Sequence, residues 1–143
     1  MRERVVIDAS AFISALIGPA DPSRSLVRLC LEGQVQSLMA TALFLEYELV
    51  LRRDRTRALC PLSPNEVQQL LQAFLACCEW VSIYYSWRPN LRDEGDNHLI
   101  EPAVAGNASY LITQNIRDFQ GNELLFPSFS AIRPEEFIRR YRS

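Results

Sequence analysis

Arg4-Val5-Val6-Ile7-Asp8, followed at once by Ala9-Ser10-Ala11-Phe12-Ile13-Ser14-Ala15-Leu16-Ile17, decides how the rest of the chain is read. The first five residues are an apolar run that ends on an acid, the pattern of a short buried strand. From Ser10 the apolar spacing turns helical and stops at Gly18-Pro19. Outward from this pair the alternation repeats. Asp21-Pro22-Ser23 opens a helix to about Glu32, with Gly33 as its stop, and Val35–Met39 reads as a second strand. From Thr41 to about Arg53, Leu43, Phe44, Tyr47, Val50 and Leu51 fall on one helix face. Ser63-Pro64-Asn65-Glu66 predicts a helix through about Cys77, with a serine cap, a proline in first position and an acid three residues after the cap.

Beyond it, Trp80–Tyr85 is β-branched and aromatic and reads as a third strand. Gly95–Ala105 reads as a helix stopped by Gly106, with Pro102 predicting a kink. Tyr110–Thr113 reads as a fourth strand, and a fifth falls near Ser130–Arg133. A last helix runs from Pro134 to Tyr141, its acids Glu135 and Glu136 first and its arginines Arg139 and Arg140 last, as the helix dipole favours. Short apolar strands alternating with helices predict an α/β domain with a mostly parallel sheet of four to five strands, covered on both sides. No repeat or long linker divides the 143 residues, so residues 1–143 are expected to form one domain.

Composition removes several function classes. All fifteen basic residues are arginines, which excludes the P-loop and Schiff-base chemistry. The five glycines form neither G-x-G-x-x-G nor G-x-S-x-G, and a lone histidine, His98, cannot build a histidine-rich metal site. Net charge −2 argues against a strongly basic nucleic-acid coat but permits a local basic rim. The four cysteines include an adjacent pair and no C-x-x-C, which fits reduced thiols in a cytoplasmic protein. No uncharged stretch reaches the ~20 residues of a membrane span, so no membrane association is expected.

In an open α/β sheet, ligands bind outside the carboxyl ends of the strands. Asp8 ends the first strand, and Asn115 and Asp118 follow the fourth. Asp93, Glu94 and Asp96 stand before or within the first turn of the helix leading to that fourth strand. Asp8 and Asp93 are each open to a second reading as a helix cap. Leu99, Ile100 and Ala103 follow Asp96 at helical spacing, which puts its carboxylate along the buried face. Glu46 flanks the apolar face of its helix, about 100° from the centre, and a solvated glutamate is its alternative reading. Carboxylates converging on one sheet edge repel, by about 4 kcal/mol for a pair ~4 Å apart at an effective dielectric of ~20. Hard dications such as Mg²⁺ or Mn²⁺ relieve that repulsion and support phosphodiester hydrolysis.

Four segments resemble the PIN-domain family. Val5-Val6-Ile7-Asp8-Ala9-Ser10-Ala11-Phe12-Ile13 resembles its strand-to-helix start, and Ala42–Arg53 its second acidic helix. Arg92-Asp93-Glu94-Gly95-Asp96-Asn97-His98-Leu99 resembles the segment with the third acid. Ala108–Phe119, reading ASYLITQNIRDF, resembles the segment with the fourth polar position. The resemblance implies a three-layer α/β/α sandwich and a metal-dependent endoribonuclease of the VapC type. It implies Asp8, Glu46, Asp96 and Asp118 as catalytic acids, and Asp8, Asp96 and Asp118 as ligands for Mg²⁺ or Mn²⁺. Ser10, Asp93, Thr113 and Asn115 are the supporting polar residues. Ser10 stands where asparagine or threonine is commoner, and Asn115 where many relatives carry aspartate, which moves the fourth ligand to Asp118. The resemblance further implies an RNA substrate, an antitoxin partner and a homodimer.

Arg52, Arg53, Arg55 and Arg57 form the densest basic run, suited to RNA phosphates and equally to a solvated helix end. Trp80, Tyr84, Tyr85 and Trp87 read as strand core and dimer surface, with base stacking as the minor alternative. A second functional class stays open: a module that keeps the fold and binds RNA or a protein without cleaving, as Asn115 hints.

Overall fold

Val5, Val6 and Ile7 are completely buried, as a strand with a neighbour on each side and a helical layer over each face must be. They belong to β1 (Glu3–Ile7). In the computed structural model, which describes residues 2–18, 21–83, 97–119 and 129–142 (the backbone alone at 21, 97, 118 and 119), β1 is the middle strand of a five-stranded sheet. The order is β3-β2-β1-β4-β5, with β2 at Val35–Met39, β3 at Glu79–Trp80, β4 at Tyr110–Ile112 and β5 at Ser130–Ile132. Every neighbouring pair is parallel. With seven helices around it among the described residues, this is a three-layer α/β/α sandwich, as expected.

The helices are α1 (Ala9–Ile17), α2 (Asp21–Leu31), α3 (Thr41–Leu51), α4 (Asp54–Leu59), α5 (Pro64–Cys77), α6 (Asn97–Ala105) and α7 (Pro134–Arg142). A 3₁₀ turn spans Ile116–Phe119. The core under the first helices is aromatic. The Phe12 ring lies 5.3 Å from that of Tyr47 and 5.0 Å from that of Phe74, and Tyr47 stacks on Phe74 at 6.1 Å. Such ring pairs add about 0.5–1.5 kcal/mol each beyond the area they bury. The capping box of α5 forms as expected: Ser63 Oγ accepts from the Glu66 amide, and Glu66 accepts from the Ser63 amide.

Three expectations change. The helix expected to reach Arg53 ends at Leu51, and a separate short helix, α4, follows with Asp54 in its first turn and Arg57 in its last. Trp80 is not strand core. Strand β3 pairs with β2 and stands at the sheet's edge, and the Trp80 side is 50% exposed. Tyr84, Tyr85 and Trp87 lie outside the described residues. Gly106 stops α6, but not through left-handed backbone. That conformation falls on Asn107, at φ 56°, whose amide bonds the Val104 carbonyl at 3.3 Å while Ala108 bonds back to Ala103 at 2.9 Å. This is a Schellman closure with asparagine in the glycine place. Gly106 is required for clearance instead, since a Cβ there would stand 2.6 Å from Leu38 Cδ1. Gly33, at φ 77°, does the conformational work at the end of α2.

Candidate active site

The strand order reverses direction at β1. The chain builds outward from β1 to β2 and β3, then returns to place β4 on the other side. Such a reversal leaves a crevice outside the carboxyl ends of the two strands, where neighbouring crossovers cover opposite faces. Asp8 follows β1 directly and Thr113 follows β4 directly, so both stand at this crevice.

Asp8 occupies the N-cap position of α1, yet its side chain makes no capping hydrogen bond. The cap reading therefore fails on geometry. Its Oδ2 instead accepts from the Thr113 hydroxyl at 2.7 Å and from the Ser10 hydroxyl at 3.1 Å. Each hydroxyl in turn accepts from a backbone amide of the loop after β4. Asn115 N–H donates to Thr113 Oγ1 at 2.9 Å, and Gln114 N–H donates to Ser10 Oγ at 3.2 Å. Two parallel relays, amide to hydroxyl to carboxylate, thus converge on one oxygen, and chains of this kind polarise each donor in turn. Among the described residues nothing donates to Oδ1. Asp8 is 8% exposed and Thr113 is wholly buried, so the fold itself fixes Oδ2. Gln114 ties the same loop to α1 a second time, from Nε2 to Ser14 Oγ at 3.1 Å.

Glu46 lies on α3 and is partly buried. The next residue explains how the helix is seated. Tyr47 Oη donates to the Ile7 carbonyl at 2.5 Å, one residue before Asp8. Burial pushes the Tyr47 phenol well above its ordinary range, with the neighbouring thiols and Asp8 adding to the shift, so it stays protonated and remains a donor. Sequence reading assigned Tyr47 to the core and missed this contact. A tyrosine rather than phenylalanine on a buried helix face was its available signal. Gln114 and Ser14 were missed as well; Ser14, one helical turn after Ser10, was theirs.

Asn115 is exposed, and only its amide takes part in the relay. Asp118 stands in the 3₁₀ turn, with its side chain outside the described residues, and Asp93 and Asp96 lie outside them altogether. Among the described residues no group of three or more His, Cys, Asp or Glu side chains gathers as a metal site. The donors that do meet at the crevice are all oxygens, which suits a hard dication. The basic run divides: Arg52 closes α3, Arg53 caps α4, and Arg55 and Arg57 lie within α4, all exposed. Arg52 caps its helix end as the dipole reading expects. Among the described residues no helix is long and apolar enough to cross a membrane.

An all-parallel α/β sandwich with an acid at its switch point defines a ligand-binding class of fold, one that many chemistries share. A family model for the PIN domain matches residues 4–117, and the chain belongs to the PIN-domain family. PIN domains are generally nucleases that hydrolyse phosphodiester bonds, typically with divalent metals. No curated protein matches the chain significantly.

Proposed function

We propose that the chain, folded as one domain over residues 1–143, is a metal-dependent endoribonuclease and the toxin component of a cytoplasmic toxin–antitoxin pair. The observation that supports it most is the Asp8 carboxylate, which takes two hydroxyls on Oδ2 at the switch point and leaves Oδ1 for a ligand. Asp8, Asp96 and Asp118 are the ligands for Mg²⁺ or Mn²⁺, with Glu46 the fourth catalytic acid and Asp93 in support. When bound, the cation supplies Lewis-acid activation of water and neutralises charge on the phosphodiester. Ser10 and Thr113 hold the carboxylate plane, Asn115 and Gln114 hold those hydroxyls, and Tyr47 seats α3, the helix that carries Glu46. Arg52, Arg53 and Arg55 take RNA phosphates as bidentate donors. The protein acts as a homodimer, and the antitoxin inhibits by covering the site.

A cleavage assay on mixed RNA with and without Mg²⁺ or Mn²⁺ tests this reading. Wild type cleaves only with metal, and Asp8→Asn, folded as judged by circular dichroism, does not cleave. Equal cleavage by Asp8→Asn refutes the site. One observation favours a second reading: Asn115 puts an amide where an acid would add charge, which fits a module that binds RNA or protein without turnover. Absence of metal-dependent cleavage in wild type would favour it.

A further inference from the structure

Trp80 lines a groove of about 690 Å³, together with Leu45, Ser82, Ile83, His98 and Glu101. That volume lies in the range of small-ligand sites. A tryptophan half exposed in a concave place costs apolar burial that an edge strand does not require, since β3 needs only two residues to pair with β2. The registers Val6–Leu38 and Leu38–Glu79 set Met39 level with Ile7, and Trp80 is level with Met39. Trp80 therefore stands at the height of the residue before Asp8, on the same carboxyl edge of the sheet. Two strand spacings, about 10 Å, separate the ends of β1 and β3. Neighbouring nucleotides of an extended strand bridge such a distance.

We infer that this groove is a base-binding subsite for single-stranded RNA, with an unpaired nucleobase stacked on the Trp80 indole. The inference rests on the ribonuclease reading for its choice of polymer. Its chemistry is that of stacking platforms: a half-exposed indole, apolar walls from Leu45 and Ile83, and polar edges that can meet a base. Ser82 and His98 donate to or accept from base edges, and Glu101 accepts from an exocyclic amine. The Phe44 ring packs against Trp80 from α3, with centroids 5.9 Å apart and ring planes at 61°. The groove thus selects for unstacked bases, because a duplex keeps its π-faces covered.

The chain has two tryptophans, so Trp87→Phe leaves Trp80 as the only indole emitter. That protein is titrated in Ca²⁺, an oxygen-preferring cation, with an oligoadenylate of about ten nucleotides, single-stranded or annealed to its complement. The single strand quenches the fluorescence saturably, and the duplex does so at least tenfold more weakly. In the wild-type background, Trp80→Ala weakens binding of the dye-labelled single strand about tenfold, and Trp80→Phe recovers most of the loss. No quenching, or wild-type affinity in Trp80→Ala, overturns the inference. So does a dimer-to-monomer change in Trp80→Ala with RNA affinity unchanged, which would make the groove a protein interface. The two readings fail separately. Cleavage with an unaffected Trp80→Ala refutes the subsite and leaves the nuclease, whereas quenching without cleavage of any RNA refutes the nuclease and leaves the subsite.

Discussion

Thr113→Val removes one hydroxyl from the double relay and leaves the side-chain shape nearly unchanged. Three contacts go with it: the hydrogen bond donated to Asp8 at 2.7 Å, the one accepted from Asn115 N–H at 2.9 Å, and a long hydroxyl contact with Ser10 at 3.5 Å that adds little. The first has a charged acceptor in a buried setting, a class that contributes about 1.5–3 kcal/mol. The second involves an amide of an exposed residue, which water can satisfy, so its loss adds about 0–1 kcal/mol. The sum is roughly 1.5–4 kcal/mol of stability, or a melting temperature lower by on the order of 10 °C for a chain of this length. Thermal unfolding in EDTA measures it free of any metal contribution. Thr113→Ser is the control, since it keeps the hydroxyl and loses a methyl. It should cost about 1 kcal/mol. In a titration with Mn²⁺, Thr113→Val should also bind metal about 10–100-fold more weakly, because a misoriented ligand is the usual effect of losing its hydrogen-bond partner. A valine variant as stable as wild type, or more stable than the serine control, refutes the claim that the relay holds Asp8.

Three further outcomes follow from other parts of the structure. Hydrogen bonding to the Arg4 guanidinium, at 2.7 and 2.8 Å, holds the Glu79 carboxyl below its usual range. Its share of stability is complete above pH 4.5 and is lost as pH falls through the depressed value, so Glu79→Gln should show a shallower acid-side decline in urea titrations. Burial raises the Cys30 thiol far above its usual range and pushes Cys78 up to about 12, so pulsed alkylation at pH 8 should modify Cys60 well before either, as peptide mass spectrometry would show. Gly106→Ala should cost about 1–3 kcal/mol by chemical denaturation, because its methyl meets Leu38 Cδ1 at 2.6 Å and the Pro102 carbonyl at 3.0 Å; an unchanged midpoint would contradict the clearance argument.

The strands of the sheet's centre were legible because burial on both faces writes an uninterrupted apolar run, as in Val5-Val6-Ile7. The capping box of α5 was legible because its chemistry is local: Ser63, Pro64 and Glu66 carry the whole signal within four residues. Trp80 misled because an aromatic, β-branched run has the same composition in a core strand as beside a groove, and only the strand order puts it at an edge. Gly106 shows a similar limit. A glycine after a helix signals a stop, but whether it is needed for its dihedral freedom or its lack of a side chain depends on Leu38, which is distant in sequence. At the site, Asp8 was legible as an acid at a strand end, while its two readings could be separated only by the partner of its carboxylate. That partner, Thr113, lies 105 residues away, and no local pattern encodes it.

That separation bears on when the site comes into being during synthesis. A chain growing from its amino end at ~5–20 residues per second exposes Asp8 and α1 some 5–20 s before Thr113 has been made. Until then, of the two hydroxyls that converge on Oδ2, only the one from Ser10 is available, and the Gln114 and Asn115 amides that complete the relays do not yet exist. The contact is also among the most non-local in the fold, so closing it carries the larger entropic cost of a long loop. Ribosome-bound intermediates that stop anywhere before β4 therefore carry the acid without its clamp. The clamp on Asp8 is complete only after β4 and the loop behind it have been made, so the crevice is a late product of the order of synthesis and not of α1 alone.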